Sequence, residues 1–189
     1  NALKDLGRLD EALAHYHRAL DIKPNFAEAH GNLGTVLQEL GKLDNALAHY
    51  HKAIKIKPEY AEAHSNLGVT FQELGELEKA EASCRKALII KPDYAEAHYN
   101  LGNLLKEKRQ FDESITSYQN ALTFKSDFAE AYCNLGAVFL DLGSPDEAVT
   151  NCQKALAIKP YYAEAYSNLG VAFRDLGRLE DAIEILNKA

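Results

Sequence analysis

Apolar residues between positions 27 and 40 fall at Ala29, Leu33, Val36, Leu37 and Leu40, the three-and-four spacing of one helical face. A second stretch carries Leu43, Ala46, Leu47, Tyr50, Ala53 and Ile54 in the same rhythm. The two stretches predict a pair of amphipathic helices that bury their apolar faces against each other. Gly41 lies between them, where a left-handed residue closes a first helix, and Pro58 ends the second. Asn25 and Glu28 have the spacing of a capping box for the first helix, as do Asp93 with Glu96 and Asp127 with Glu130. Pro145 falls in a first turn, where its missing N–H costs little.

The pattern then repeats every 34 residues. Asn-Leu-Gly recurs with Asn32, Asn66, Asn100, Asn134 and Asn168, and a proline returns at Pro24, Pro58, Pro92 and Pro160. Four complete units run 27–60, 61–94, 95–128 and 129–162, flanked by partial units at 1–26 and 163–189. One unit is less regular: Arg109 replaces the turn glycine, Ser114 the small core alanine and Ser126 the proline. A non-glycine residue pays about 1 kcal/mol in the left-handed region, which predicts a rebuilt turn near 109–111.

His30-x-x-Leu33-Gly34-x-x-Leu37, followed by Ala46-x-x-x-Tyr50 and Pro58, resembles the tetratricopeptide pattern of Trp-x-x-Leu-Gly-x-x-Tyr, Ala-x-x-x-Phe and Pro. The likeness covers essentially the whole chain. It departs at the Trp place, taken by His30, His64, His98, Tyr132 and Tyr166, and at the Phe place, where Cys84 and Cys152 are small. The resemblance implies an all-α fold, a right-handed superhelical solenoid of antiparallel helix pairs forming a single array over 1–189. First helices would line its concave surface.

Charge and composition narrow the function. The chain has 189 residues, 47% of them apolar and 26% charged, enough to bury a substantial core. A formal charge of -7 argues against nucleic-acid binding, which needs a clustered basic face. No apolar run approaches the roughly 20 residues of a membrane span, and the N-terminus has no secretory pattern. Cys84, Cys133 and Cys152 cannot all pair and show no C-x-x-C spacing, which fits a reducing compartment and an intracellular, cytoplasmic or nucleocytoplasmic location. Methionine is absent, so the sequence reads as a fragment or a processed product.

Catalytic chemistry finds no place in this pattern. His15 with His17 and His49 with His51 are two residues apart on a helix and diverge. His30, His64 and His98 occupy equivalent places in successive units, roughly 8–10 Å apart at ordinary interhelical spacing, too far for metal bonds of about 2 Å. Cys84 and Cys152 occupy the core place of Tyr50 and Tyr118, which makes them inert, while Cys133 on a first helix could face the groove. We therefore expect no catalytic residue, no metal site and no cofactor in this chain.

The informative constellation is a stripe on each first helix at i, i+4, i+7 and i+11. It reads Glu28-Asn32-Thr35-Glu39, Glu62-Asn66-Val69-Glu73, Glu96-Asn100-Asn103-Glu107, Glu130-Asn134-Ala137-Asp141 and Glu164-Asn168-Val171-Asp175. Across the five first helices, ten acids against Lys106, Lys108 and Arg174 leave a formal -7. An Asn amide offers donors and an acceptor to a peptide backbone whatever its side chains, although the same amide can tie neighbouring helices together. The candidate peptide-binding residues are Asn32, Asn66, Asn100, Asn103, Asn134, Asn168, Glu62, Glu73 and Glu164. The expected function is a protein-interaction scaffold for an extended peptide or partner protein, basic or hydroxyl-rich, with no nucleic acid and no membrane.

A second reading comes from wording. The stretches at 41–50 and 60–68 are similar to repeats of O-GlcNAc transferases and SPINDLY-type glycosyltransferases, which hold protein substrates on an Asn ladder. That resemblance implies a substrate-recognition arm whose catalytic domain lies elsewhere. Exposed ends of a stacked array also suggest head-to-tail self-association.

Overall fold

The computed structural model describes residues 8–187. These form eleven α-helices and no strand, grouped in two compact units, 1–92 and 93–189. In the first unit α1 (Leu9–Ile22) precedes the pairs α2 (Ala27–Glu39) with α3 (Leu43–Ile56) and α4 (Ala61–Glu73) with α5 (Leu77–Ile90). In the second unit α6 (Ala95–Glu107) pairs with α7 (Phe111–Phe124), α8 (Ala129–Asp141) with α9 (Pro145–Ile158), and α10 (Ala163–Asp175) with α11 (Leu179–Leu186). Each first helix packs on its own second helix and on the next first helix of its unit, α2 on α4 and α6 on α8 on α10. That stacking sets the stripe residues side by side.

The predicted core is the observed one. Leu33, Val36, Ala46, Tyr50 and Ala53 are buried, as are Leu101, Leu104, Leu105, Tyr118 and Ala121. Gly31, which has no role in the repeat pattern, seats the next aromatic residue: a Cβ there would lie 3.0 Å from the Tyr60 ring. At the equivalent place in the second unit Tyr99 meets Phe128 with ring centroids 4.7 Å apart.

Two expectations fail, each for a geometric reason. The turn at Arg109 is not rebuilt. Arg109 takes φ 59°, beside 70° at Gly41 and 76° at Gly75, and keeps the same closing bonds. Its N–H reaches Lys106 O at 2.9 Å and the Gln110 N–H reaches Leu105 O at 2.8 Å, matching Gly41 to Gln38 and Lys42 to Leu37. Satisfying the last carbonyls outweighs the local strain. Arg109→Gly should thus raise stability, by about 0.5 kcal/mol once the guanidinium contact over Phe111 at 5.6 Å is forfeited. Paired urea melts of the two proteins measure it.

The capping boxes do not form either. The residues at the N-cap are Phe26, Tyr94 and Phe128, without side-chain caps, so Asn25, Asp93 and Asp127 lie one position too early. Glu28, Glu96 and Glu130 instead accept from the lysine closing the second helix of the same repeat: Lys57 at 3.0 Å, Lys125 at 3.0 Å and Lys159 at 3.3 Å. Each lysine also rides over the following aromatic ring, Tyr60, Phe128 or Tyr162. The bond from Lys57 holds the Glu28 carboxyl below its ordinary range.

Candidate peptide-binding face

The first-helix stripe carries a polar network that the repeat pattern alone does not show. In the first unit the Tyr50 hydroxyl, on α3, points between α2 and α4. It lies 3.0 Å from Gln38 Oε1 and 3.3 Å from Thr35 Oγ1. Asn66 Nδ2 donates to the same Thr35 oxygen at 3.3 Å, and Gln38 Nε2 donates to Glu73 Oε1 at 2.7 Å. Burial pushes the Tyr50 phenol up to about 12, so it remains a neutral donor at all ordinary pH.

The second unit rebuilds this triangle with different residues. Tyr118 OH donates to Asn103 Oδ1 at 2.7 Å, and Asn134 Nδ2 donates to the same oxygen at 2.8 Å and to Tyr99 OH at 3.1 Å. Asn134 is only 9% exposed and spends both amide hydrogens inside the protein.

A rule within the sequence now has a cause. Where the second helix carries a tyrosine, the third stripe position is polar: Thr35 with Tyr50, Asn103 with Tyr118. Where it carries cysteine, that position is apolar: Val69 with Cys84, Ala137 with Cys152. A buried phenol needs an acceptor, and a thiol does not. Asn168, which follows the Ala137 repeat, accordingly has no such anchor; its amide lies 3.5 Å from Cys133 Sγ. Asn32 makes no side-chain hydrogen bond among the described residues. Asn100 is half-buried, Glu62 is exposed, and exposed Glu164 accepts from Tyr162 OH at 3.3 Å.

The candidate residues thus divide. Asn66, Asn103 and Asn134 tie helices together, whereas Asn32 makes no such bond and Asn168 donates only to the sulfur of Cys133. Sequence reasoning missed Thr35, Gln38, Tyr50, Tyr99 and Tyr118; the pairing of Tyr with a polar third stripe residue was the available signal.

Elsewhere the reactive groups are quiet. Cys133 is fully buried and does not open onto the stripe, contrary to expectation, because Tyr132 and Tyr162 pack over it. Burial raises its thiol to about 11 and those of Cys84 and Cys152 to about 12. No group of three or more His, Cys, Asp or Glu among the described residues could hold a metal ion. No helix among them is long and apolar enough to cross a membrane.

His49 does not simply diverge into solvent. Its Nδ1 lies 3.0 Å from Nδ1 of His30, whose Nε2 lies 3.0 Å from the Pro24 carbonyl. A carbonyl only accepts, so His30 carries its proton on Nε2 and His49 donates from Nδ1. Burial, then the nearby His30 and Lys52, lowers the His49 pKa from 6.5 to about 4. Unfolded chain takes up this proton below pH 6.5 while the folded chain resists it until about 4. This stabilising contribution is therefore complete above pH 6.5 and lost between 6.5 and 4. Partial exposure of the ring keeps it to on the order of 1 kcal/mol. Urea titrations across that window should show a steeper acid loss for the parent chain than for His49→Gln.

Comparison with known proteins agrees with this architecture. A family model described as TPR repeat matches residues 1–41, 37–75 and 102–143, and models described as tetratricopeptide repeat match 61–94, 83–116 and 127–189. No curated protein sequence matches the chain. Among solved structures, MamA is 28% identical with TM-score 0.73, over 86% of this chain and 88% of that one. YrrB, described as a TPR protein with an unusual peptide-binding site, is 25% identical with TM-score 0.70, over 92% and 89%. PilW, described as a widely conserved type IV pilus biogenesis factor, is 23% identical with TM-score 0.86, over 94% and 83%, and shows the likeness of fold alone. The repeat period, the helix pairs and these matches together make the chain a member of the tetratricopeptide repeat family.

Proposed function

We propose that this chain is a protein-interaction scaffold whose first helices take an extended peptide through their amide and carboxylate stripe. The observation that carries the reading is the division of the asparagines. Asn32 makes no side-chain hydrogen bond among the described residues and Asn168 donates only to the Cys133 sulfur, a weak acceptor at 3.5 Å; both are set beside acids, Glu28 and Glu62 in the first unit and Glu164 in the second, on helices poor in cations. An amide of that kind can pair with a peptide C=O and N–H together, and the surrounding carboxylates favour a basic or hydroxyl-rich segment. Likeness to YrrB, a TPR protein described by its peptide-binding site, supports the reading. Asn66, Asn103 and Asn134 serve it indirectly, by fixing the spacing of the helices that bear the stripe.

The test is binding of a lysine- and serine-rich peptide to the parent chain and to Asn32→Ala/Asn168→Ala. Affinity should fall about tenfold at unchanged melting temperature. Equal affinity would remove the asparagines from the binding site.

A further inference from the structure

The second helices of the first unit enclose a local surface of the opposite character. A hollow of about 700 Å³ lies between α1 and α3, with His30 of α2 in its floor. His30 stands there at the place where the family pattern has a tryptophan. His30 is held flat there by the Pro24 carbonyl and His49. Leu20 and Ile56 supply apolar wall, and His17, Lys52 and Lys55 the polar rim, against the single acid Asp21.

The same hollow recurs in the second unit between α7 and α9, at about 490 Å³. Gln119, Leu122, Thr123, Tyr132 and Lys154 there stand three repeats on from His17, Leu20, Asp21, His30 and Lys52. Lys154 lies 5.5 Å from the centre of the Tyr132 ring. A cation above an aromatic floor is therefore a product of the repeat, enriched in the first unit by His17 and Lys55.

Charge selects the occupant. Lys52 and Lys55 are exposed, and neither has a carboxylate partner among the described residues. On α2 and α4 the formal charges are Glu28, Glu39, Glu62 and Glu73, with no lysine or arginine. His30 and Asn32 are two residues apart, about 200° around the helix, so hollow and stripe lie on opposite sides of α2. The basic side of the unit is thus the rim of the hollow, where Lys52 and Lys55 outweigh Asp21, opposite the acidic stripe. A volume of this size accepts a large apolar side chain.

We propose that the basic side is a second docking surface, which takes an acidic peptide segment of a partner protein with one aromatic side chain seated over His30. It is separate from the first-helix stripe, so one molecule would hold two segments of opposite charge.

The probe is a fluorescein-labelled hexapeptide of Asp and Glu carrying one central Phe, followed by anisotropy at low ionic strength. We expect saturable binding that weakens about tenfold in Lys52→Gln/Lys55→Gln and about fivefold when the Phe is exchanged for Gly. Asn32→Ala/Asn168→Ala should bind it unchanged, and the basic peptide of the previous section should not compete. Thermal melts of the lysine variant confirm that it is folded, and methyl shifts at Leu20 and Ile56 report the seat directly. No saturable binding, equal binding of the Gly peptide, or shifts confined to first-helix residues would each overturn the proposal. Failure of the stripe reading leaves these outcomes untouched, because none of them depends on the asparagines.

Discussion

Replacing Tyr118 by alanine should cost about 4 kcal/mol, enough to unfold much of the second unit at ambient temperature. The ring is fully buried, and it fills the space above Gly102, where a Cβ would lie 2.7 Å from Tyr118 Cε1. Gly102 offers no side chain to fill that volume. Its cluster includes Ala121, Phe128, Ala131, Leu135 and Val138, joined by Tyr99 and Ile115 from the margin. Tyr118→Phe separates the two roles of the residue. It keeps the ring and loses only the bond to Asn103 at 2.7 Å, so it should cost about 1 kcal/mol. Denaturant melts of the three proteins, followed by helical circular dichroism, give both values; similar losses for Ala and Phe would mean that the hydroxyl and not the packing holds the unit.

Asn134→Ala should be the next most damaging change, at about 2–3 kcal/mol, although asparagine is ordinarily a surface residue. Its amide spans α6 and α8 by two bonds, to Asn103 Oδ1 and Tyr99 OH. Removing it takes the Asn134 donor from Tyr99 OH, leaves Asn103 Oδ1 with Tyr118 OH alone, and opens a hole at a buried position between the helices. Asn168→Ala is the internal control, because its amide donates to the sulfur of Cys133 at 3.5 Å, a poor acceptor. The same substitution at the same repeat position is thus expected to differ by about 2 kcal/mol between neighbouring repeats, because Asn103 faces the first amide where Ala137 stands before the second. Equal melting temperatures for the two variants would contradict the network.

The helix pairs were legible because a 34-residue period and a three-and-four spacing leave few alternatives. Partners far apart in sequence were not. Gly31 had no visible purpose because its neighbour, the Tyr60 ring, is 29 residues on, at the far end of the repeat. Arg109 was expected to spoil its turn, since the residue type announces the cost of a left-handed backbone but not the closing bonds to Lys106 O and Leu105 O that offset it. The capping reading of Glu28 failed by a single residue of helix boundary, and the lysine it meets, Lys57, lies at the far end of the hairpin. As for the site, the stripe was visible, but its division into tying and available asparagines was not. That division depends on whether a phenol or a thiol arrives from the second helix, as with Tyr118 and Cys152.

The central claim is that a peptide is held along the first helices by the asparagines that the protein itself does not use. The most direct measurement is a titration of the isotope-labelled chain with the lysine- and serine-rich peptide, watching the side-chain amide resonances. Asn32 in the first unit and Asn168 in the second should each shift saturably with the peptide, while the internally bonded amides of Asn66 and Asn134 stay nearly fixed. Shifts confined to second-helix residues, or an unmoved Asn168 amide at saturation, would contradict it.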